Sequence, residues 1–426
     1  MVRDAAKRVG KPVAILADLQ GPKIRVGKFA NGKTFLEKGQ GFILDASCEL
    51  GNDERVGLDY KDLPKDVKPG TILLLNDGAI VLDVEKVVGP EIHTRVRFGG
   101  ELSNNKGINQ KGGGLTAPAL TAKDMEDIKT AAAIGIEYVA VSFPKTAADM
   151  YMARTLLRAA GSDAQTIAKI ERTEAVEPAT LREILEASDG LMVARGDLAV
   201  EVGEAADPAR QKKMIRPARE RNKLAITATQ MMESMITSPV PTRAEVSDVA
   251  NAVLDGTDAV MLSAETAAGK FPVEVVETMA RVCEEAEKSY PVTLDQDFLN
   301  RTFTRIDQSI AMAALFSAHH MGAKAIVALT ESGSTALWMS RMRSGIPIYA
   351  LTSQPETVGK AALYREVHPI VMPRITDDRE HLMREAEMTL LRHKLVQAGD
   401  VIVITFGEPL GQSGGTNSLK IVRVGQ

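Results

Sequence analysis

The chain has 426 residues, of which 44% are hydrophobic and 25% charged, the composition of an ordinary globular protein of two or three domains. Its formal net charge of −4 gives no electrostatic argument for nucleic acid as a partner. The two cysteines are far apart, which argues against a disulfide framework. The first residues are charged, unlike a signal peptide, and no apolar run is long enough to span a membrane. We therefore expect a cytoplasmic protein.

Two kinds of pattern alternate along the chain. A helix over 3–9 and a strand over 13–18 are followed, from 26 to 110, by short runs with partial alternation, which predict a small all-β insert. Within it, Asn76-Asp-Gly78 is typical of a tight hairpin turn.

From 117 to 286 the pattern changes to repeated strand–helix units, which are typical of a (β/α) barrel. The further strands are predicted at 138–143, 166–171, 190–194, 224–229 and 258–263. The helices between and after them are predicted at 122–134, 146–160, 177–187, 207–221, 243–255 and 272–287. Together with 13–18, this gives six of the eight strands that a closed barrel needs.

The predicted fold class is therefore α/β, with three domains. A (β/α)8-type barrel comprises 1–25 and 111–290, and the inserted β domain comprises 26–110. After a linker at 291–303, strand–helix units up to a final strand, including a long helix at 378–397, predict a doubly wound α/β domain, assigned to 291–426.

Charged and hydroxylated side chains follow three neighbouring barrel strands. Lys169 and Glu171 are two residues apart and so point to the same side of a strand, while Asp197 and Thr229 follow the next two strands. Because the carboxyl ends of parallel strands share one face, these residues are expected to converge. Glu171 and Asp197 are candidate Mg²⁺ ligands, and Lys169 is a candidate cation for a phosphoryl group. The alternative is a set of strand-end salt bridges and a locally bonded threonine.

Other candidates lie around this face. The backbone of Ala194-Arg195-Gly196-Asp197 precedes a helix and could bind a carboxylate or phosphate, or be an ordinary turn. Four residues are expected at the same end of the barrel, where they could reach nucleotide phosphates or be solvated surface charge: Asp18, Lys23, Arg25 and Lys106. None of the six histidines ends a barrel strand, so a histidine nucleophile or a zinc site is not expected.

The C-terminal domain contains a second candidate site. Its first strand is followed by a loop rich in hydroxyl groups, which could form a phosphate cradle at a helix start. The residues of this loop are Thr330, Ser332, Gly333, Ser334 and Thr335. A glycine-rich loop at 407–415 could cover it; the alternative is a capping residue beside a mobile turn.

Taken together, these motifs resemble those of the pyruvate kinase family, most closely its bacterial type II members. They occur in the family's order over nearly the whole chain. The matching stretches are Ala17-Asp-Leu-Gln-Gly-Pro-Lys-Ile-Arg25, Lys106-Gly-Ile-Asn109, Lys169-Ile-Glu171, Met192-Val-Ala-Arg-Gly-Asp-Leu198, Thr227-Ala-Thr-Gln-Met-Met-Glu-Ser-Met235, Pro241-Thr-Arg-Ala-Glu245 and Leu262-Ser-Ala-Glu-Thr266.

The resemblance implies transfer of the phosphoryl group of phosphoenolpyruvate to ADP, giving pyruvate and ATP in glycolysis. It implies that Glu171 and Asp197 bind Mg²⁺ or Mn²⁺, and that the 194–197 backbone holds the substrate carboxylate. The implied catalytic residues are Lys169, Thr229 and Arg25, and the implied nucleotide contacts are Arg25 and Lys106. The β insert would close as a lid, and a phosphorylated allosteric effector would bind at 330–335 of a homotetramer.

The sequence also departs from the family pattern. The family's first two βα units are not found, so we expect this chain to be weakly active or inactive and poorly stable. Lys23 stands where K⁺-dependent members have Glu, so Asp18 would belong to a monovalent cation site that Lys23 replaces, and K⁺ would not be required. The 407–415 loop lacks the Arg and Trp of members activated by fructose bisphosphate, which favours a sugar monophosphate or AMP. The alternatives are a non-catalytic phosphometabolite-binding protein and another phosphoenolpyruvate-using barrel.

Overall fold

The computed structural model describes residues 1–203, 207–288, 302–342, 344–373, 378–411 and 413–426. Its helices are α1 (Val2–Val9), α2 (Leu63–Asp66), α3 (Ala122–Ile134), α4 (Ala147–Ala159), α5 (Pro178–Ala187), α6 (Arg195–Val202), α7 (Asp207–Glu220), α8 (Arg243–Asp255), α9 (Ala264–Ala267), α10 (Pro272–Lys288), α11 (Ile306–His320), α12 (Ser334–Ser340), α13 (Pro355–Ala361) and α14 (Arg379–Arg392). None of these helices is both long enough and apolar enough to span a membrane.

The strands fall into three regions, which are the barrel sheet, the β insert and the C-terminal sheet. They are β1 (Leu16–Asp18), β2 (Lys28–Phe29), β3 (Lys33–Leu36), β4 (Gly41–Asp45), β5 (Leu50–Gly51), β6 (Arg55–Gly57), β7 (Ile72–Leu75), β8 (Ile80–Val88), β9 (Glu91–Phe98), β10 (Gly100–Ser103), β11 (Ile108–Gln110), β12 (Tyr138–Ser142), β13 (Gln165–Ile170), β14 (Gly190–Ala194), β15 (Leu224–Ala228), β16 (Ala259–Met261), β17 (Ala325–Leu329), β18 (Ile348–Thr352), β19 (Val367–Val371), β20 (Val401–Gly407) and β21 (Thr416–Arg423).

The barrel sheet contains the six strands that the sequence predicts. They are all parallel and lie in the order β1-β12-β13-β14-β15-β16. Local signals set the ends of its helices. In α8, Thr242 and Glu245 form a reciprocal capping box, and Gly256 ends the helix in the left-handed conformation. Because the strands are parallel and adjacent, the carboxyl ends of β13, β14 and β15 lie side by side, as the converging site requires.

The β insert forms its own layer. Its main sheet has the order β11-β7-β8-β9-β4-β6, beside two small two-stranded sheets, around a separate apolar core. The predicted hairpin joins β7 and β8 through Asn76, Asp77 and Gly78, all with positive φ. At the exit from the insert, Gly112, Gly113 and Gly114 have φ of 85°, 80° and 101°, which only glycine adopts without strain.

The C-terminal domain is a five-stranded sheet in the order β19-β18-β17-β20-β21, with only β21 antiparallel. The helix predicted at 378–397 ends five residues earlier, at Arg392. The left-handed Lys394, with φ of 57°, stops it where composition alone gave no signal. Most of the predicted linker at 291–303, and the domain boundary at 290, lie outside the described residues.

The C-terminal domain packs against the amino ends of the barrel strands, opposite the candidate site. One apolar cluster contains residues of the four strands β12, β13, β14 and β15, together with residues of α11, α12 and the segment after α13. At its edge Arg341, 1% exposed, pairs through both terminal nitrogens with Asp258, and its Nη1 also donates to Lys223 O at 2.9 Å. Asp258 accepts in addition from the backbone N–H of Ala225, the second residue of β15, at 2.9 Å. This ion pair therefore ties the end of α12 to the barrel.

Candidate active site

At the carboxyl ends of the barrel strands, lysines and carboxylates lie in contact. Lys169 Nζ lies 3.1 Å from Asp18 Oδ2 and 3.4 Å from Glu171 Oε1. On the neighbouring strand end, Lys23 Nζ lies 3.3 Å from Asp197 Oδ1. The structure therefore brings together the residues predicted from strand spacing and adds the pairing of each lysine.

Glu171 is the most buried of these acids, with 2% of its surface exposed. Burial raises the pKa of its carboxyl to about 7; Asp197 adds to the rise, and Lys169 opposes it. Its Oε2 accepts a hydrogen bond of 2.9 Å from the backbone N–H of Phe143. The site thus holds a buried carboxylate whose charge is incompletely balanced by the protein.

The pKa of Lys169 is raised although its side chain is largely buried. Burial alone would lower the pKa of its ammonium, but Glu171 and Asp18 together outweigh that effect and raise it. The pKa of Glu171 stays raised because its burial outweighs the attraction of the Lys169 ammonium, which Glu171 shares with Asp18. Lys169 is therefore a fixed cation, whereas Glu171 is the group that titrates near neutrality.

Thr229 follows β15 in a strained conformation. Its φ is 67°, and that of Gln230 is 52°; a left-handed residue other than glycine costs about 1–3 kcal/mol. The Thr229 hydroxyl donates to Ala228 O at 2.6 Å and accepts from the Gly196 N–H at 2.9 Å. The predicted carboxylate-binding turn and the predicted hydroxyl are therefore in direct contact.

The Arg195 side chain does not take part in the contact between Gly196 and the Thr229 hydroxyl. Its guanidinium reaches Asp248 Oδ2 at 2.5 Å and the carbonyl oxygens of Thr229 and Gln230 at 2.8 and 3.1 Å. Of the predicted substrate-binding segment 194–197, the structure thus leaves Arg195 only its backbone for a ligand.

The two predicted nucleotide contacts lie together at the edge of the insert. Arg25 forms a bridge with Gly107, next to Lys106, and its guanidinium donates to Asn105 O at 3.2 Å. A Cβ placed on Gly107 would lie 3.4 Å from the Lys23 side chain, which contacts Asp197. The backbone of both residues therefore lies next to Lys23 at the edge of the insert.

The predicted effector loop lines a separate cleft in the C-terminal domain. Thr330, Ser334 and Thr335 contribute from the loop and the start of α12, while Gly407, Gly411 and Gly414 contribute from the glycine-rich loop. Gly333 takes φ of 81° and donates its N–H to Thr330 Oγ1 at 2.9 Å, while Ser332 and Gly333 do not line the cleft. The two loops predicted to cooperate thus face each other.

The carboxylates fit a divalent metal of the kind that takes few protein ligands. Over the described residues, no three His, Cys, Asp or Glu side chains are grouped as a metal cage. Mg²⁺ is usually held by one or two carboxylates together with water and substrate oxygens. Glu171 and Asp197 can supply these two, and the raised pKa of Glu171 marks negative charge that a cation would balance.

The pKa of Glu171 leads to a pH prediction. A carboxyl that holds its proton up to about pH 7 must release it to bind a metal, so Mn²⁺ affinity should fall about tenfold for each pH unit below 7. The raised pKa of Glu171 also affects folding stability. Its stabilising contribution is present below the ordinary pKa of Glu and is lost as pH rises to 7. Bound Mn²⁺ should therefore stabilise the fold most above pH 7. Titration calorimetry between pH 5.5 and 8.5 measures the affinity. In Glu171→Gln the residual binding should lose this pH dependence; a parent affinity that is flat across pH 7 would contradict the assignment.

Sequence reasoning missed the residues that support the site. Phe143, which holds Glu171, has φ of 55° although it precedes Pro144, where an extended backbone is expected. Asp248 on α8 pairs with Arg195, whose side chain binds Thr229 O, and Glu265 on α9 accepts from the backbone N–H of Met232. No local pattern in the sequence could have identified them.

The fold and the site define a barrel enzyme with a lysine and two carboxylates at the carboxyl ends of its strands, an inserted β domain and a C-terminal α/β domain. A family model described as "Pyruvate kinase, barrel domain" matches residues 1–276, and one described as "Pyruvate kinase, alpha/beta domain" matches 308–422. The chain is 51% identical over 428 residues to pyruvate kinase II of Salmonella typhimurium, covering 99% of this chain and 89% of that protein. It is 52% identical over 411 residues to the pyruvate kinase of Haemophilus influenzae, covering 95% and 86%.

A solved structure gives the same result. The crystal structure of a pyruvate kinase from Cryptosporidium parvum superposes with a TM-score of 0.91 at 34% identity, covering 99% of this chain and 86% of that one. The chain belongs to the pyruvate kinase family. The predicted fold class, the enzyme class and the resemblance are thereby confirmed.

Proposed function

We propose that this chain transfers the phosphoryl group of phosphoenolpyruvate to ADP. A β-phosphate oxygen of ADP attacks the phosphorus, the bond from phosphorus to the enol oxygen breaks, and the enolate carbon takes up a proton to give pyruvate. The observation that carries the proposal is the convergence of Lys169, Glu171, Asp197 and Thr229 on one end of the sheet. It supports one site for both the phosphoryl step and the proton step.

Each residue has a role that its position supports. The Lys169 ammonium would balance charge on the phosphoryl group and on the enol oxygen, because a fixed cation acts strongly where water is excluded. Glu171 and Asp197 would hold Mg²⁺ or Mn²⁺, which when bound supplies charge neutralisation for phosphate and enolate oxygens. Asp18 would keep Lys169 in place, as its 3.1 Å contact supports.

The contact between Gly196 and Thr229 supports a binding mode for the substrate carboxylate. The Gly196 N–H donates to the Thr229 hydroxyl, and that hydroxyl donates to the Ala228 carbonyl. A carboxylate bound at the start of α6 could accept from both groups in their place. The Thr229 hydroxyl would then lie beside the enolate and help to deliver its proton.

The lid would bring the nucleotide contacts to the phosphoryl group. Arg25 and Lys106 belong to the edge of the β insert, and three successive glycines at 112–114 give its return segment backbone freedom. Closure would exclude water, which competes with ADP for the phosphoryl group.

A coupled assay with ADP present and absent tests the proposed reaction. We expect pyruvate to form only with ADP, one molecule for each ATP, at whatever rate this polypeptide supports. Pyruvate formed without ADP would instead favour another phosphoenolpyruvate-using barrel. Tight binding of phosphometabolites with no turnover at any enzyme concentration would favour a non-catalytic binding protein.

We further propose that K⁺ is not required. The Lys23 ammonium already lies 3.3 Å from Asp197 and can supply the charge that K⁺ supplies in the K⁺-dependent members. Replacing K⁺ with tetramethylammonium should leave kcat/KM within about twofold, whereas in Lys23→Glu the same exchange should cost at least about tenfold, because a fixed positive charge has been lost. Lys38→Glu, on the exposed surface of the β insert, is the matched charge reversal and should remain insensitive. A large loss in the parent chain would overturn the proposal.

The C-terminal cleft would bind a phosphorylated effector. Its hydroxyl groups and the glycine-rich loop support a phosphate ligand, and the sequence favours a sugar monophosphate or AMP. A homotetramer in the cytoplasm would be the regulated form. Titration calorimetry with ribose 5-phosphate, AMP and fructose 1,6-bisphosphate would rank the candidate ligands.

A further inference from the structure

The Arg195 side chain binds the loop that follows β15. Its Nη2 donates to Thr229 O at 2.8 Å and to Gln230 O at 3.1 Å, and lies 2.8 Å from Met231 Sδ. Its Nη1 pairs with Asp248 at 2.5 Å. The side chain is buried, and its Nε has no hydrogen-bond partner among the described residues. Burying a guanidinium with one donor unsatisfied is unfavourable.

Thr229 is held at two points from the same short segment. The Arg195 side chain binds its carbonyl oxygen, and the N–H of the next residue, Gly196, donates to its hydroxyl oxygen. The two carbonyls that Arg195 binds belong to the two left-handed residues, Thr229 and Gln230. The Arg195 guanidinium therefore stabilises the strained backbone conformation of these two residues.

The far side of the loop has a complementary contact. The Met232 N–H donates to Glu265 Oε1 at 3.2 Å, and Glu265 also accepts from the Ser263 N–H. A cation thus binds the loop's carbonyls at one end and an anion binds its N–H at the other. Only arginine presents a planar fork of donors that can reach two carbonyls and a carboxylate together; a lysine ammonium cannot span them.

We propose that Arg195 is a positioning residue that holds the Thr229 hydroxyl against Gly196 for the proton step, without touching the substrate. This inference rests on the proposed role of Thr229. Loss of the fork lets Thr229 and Gln230 relax to an ordinary conformation, and the hydroxyl moves away from the bound carboxylate and the enolate carbon. Displacement by about 1 Å is enough to lower a rate by about 100-fold.

Hydrogen exchange tests the positioning without any need for turnover. In Arg195→Lys, the backbone amides of 229–232 should exchange at least about tenfold faster than in the parent chain, while those of β14 remain unchanged. Arg154→Lys is the matched control, since Arg154 pairs with Asp189 at 3.0 Å at the opposite end of the barrel strands. It should leave the 229–232 amides unchanged. Unaltered exchange of these amides in Arg195→Lys would overturn the proposal.

Kinetics of a double-mutant cycle test whether Arg195 acts through Thr229. Arg195→Lys should lower kcat about 100-fold and change KM for phosphoenolpyruvate less than about threefold, and Thr229→Ala should give a similar loss. The double variant should be no worse than Thr229→Ala by more than about threefold. Losses that multiply would mean that Arg195 acts elsewhere, and overturn the proposal. Full activity of Thr229→Ala would instead refute the proposed role of Thr229, and the exchange result would then decide the positioning alone.

Discussion

Replacing Lys169 with methionine is expected to lower kcat for phosphoryl transfer by about 10³-fold, the loss typical of removing one preorganised group that stabilises transition-state charge. Methionine keeps the length and apolar part of the side chain and removes only the ammonium that contacts Asp18 and Glu171. KM for ADP should change little, because Lys169 lies among the carboxylates and not at the lid edge. Initial rates at saturating substrate, by the coupled assay, measure the effect.

The comparison must separate lost charge from lost metal. Lys169 lowers the pKa of Glu171, so its removal raises that pKa further and weakens metal binding near neutral pH. Assays at pH 8.5, with Mn²⁺ binding measured in parallel, keep the site occupied. Lys129→Met, on an exposed face of α3 and paired with Glu126, is the matched control and should retain the parent rate. A Lys169→Met variant with more than a tenth of the parent kcat would contradict the assigned role.

Replacing Arg341 with methionine is expected to cost about 3–5 kcal/mol of unfolding free energy, because it leaves a buried carboxylate uncompensated. The Asp258 side chain is fully buried, and it accepts from the backbone N–H groups of Ala225 and Arg365 as well as from Arg341. The ion pair lies where the C-terminal domain meets the first residues of β15. Urea unfolding followed by circular dichroism measures the loss.

Two variants show whether the loss comes from the stranded charge. Adding Asp258→Asn to Arg341→Met removes the charge and should recover part of the stability, since an amide can still accept from the two N–H groups. Arg154→Met breaks a partly exposed pair with Asp189 and should cost no more than about 1 kcal/mol. If Arg341→Met is as mild as Arg154→Met, the ion pair does not hold the domains together.

The sequence predicts those parts of the fold that depend on neighbouring residues. Both ends of α8 follow from the capping box at Thr242 and Glu245 and from Gly256, all of which act locally. The convergence of Lys169 and Glu171 follows from the two-residue period of a strand. By contrast, α14 ends at Arg392 because Lys394 is left-handed, a conformation that no local composition signals there.

The partners within the site could not be predicted, because they come from distant parts of the chain. Lys169 contacts Asp18, which is 151 residues away in the sequence, and Lys23 contacts Asp197, which is 174 residues away. The sequence placed Lys23 near Asp18, as part of a monovalent cation site, whereas the structure pairs it with Asp197. Arg195 was predicted only as part of a binding turn, and its side-chain contacts depend on the strained loop at Thr229.

The most direct test of one site for both chemical steps is a ³¹P and ¹H NMR time course. Phosphoenolpyruvate, ADP and Mg²⁺ are incubated in D₂O with the purified chain, and the same mixture with Glu171→Gln. We expect the phosphoenolpyruvate signal to be replaced by the γ-phosphate of ATP, with a single deuterium in the methyl group of each new pyruvate, and no change with the variant. Release of inorganic phosphate in place of ATP, or equal turnover by Glu171→Gln, would contradict the account.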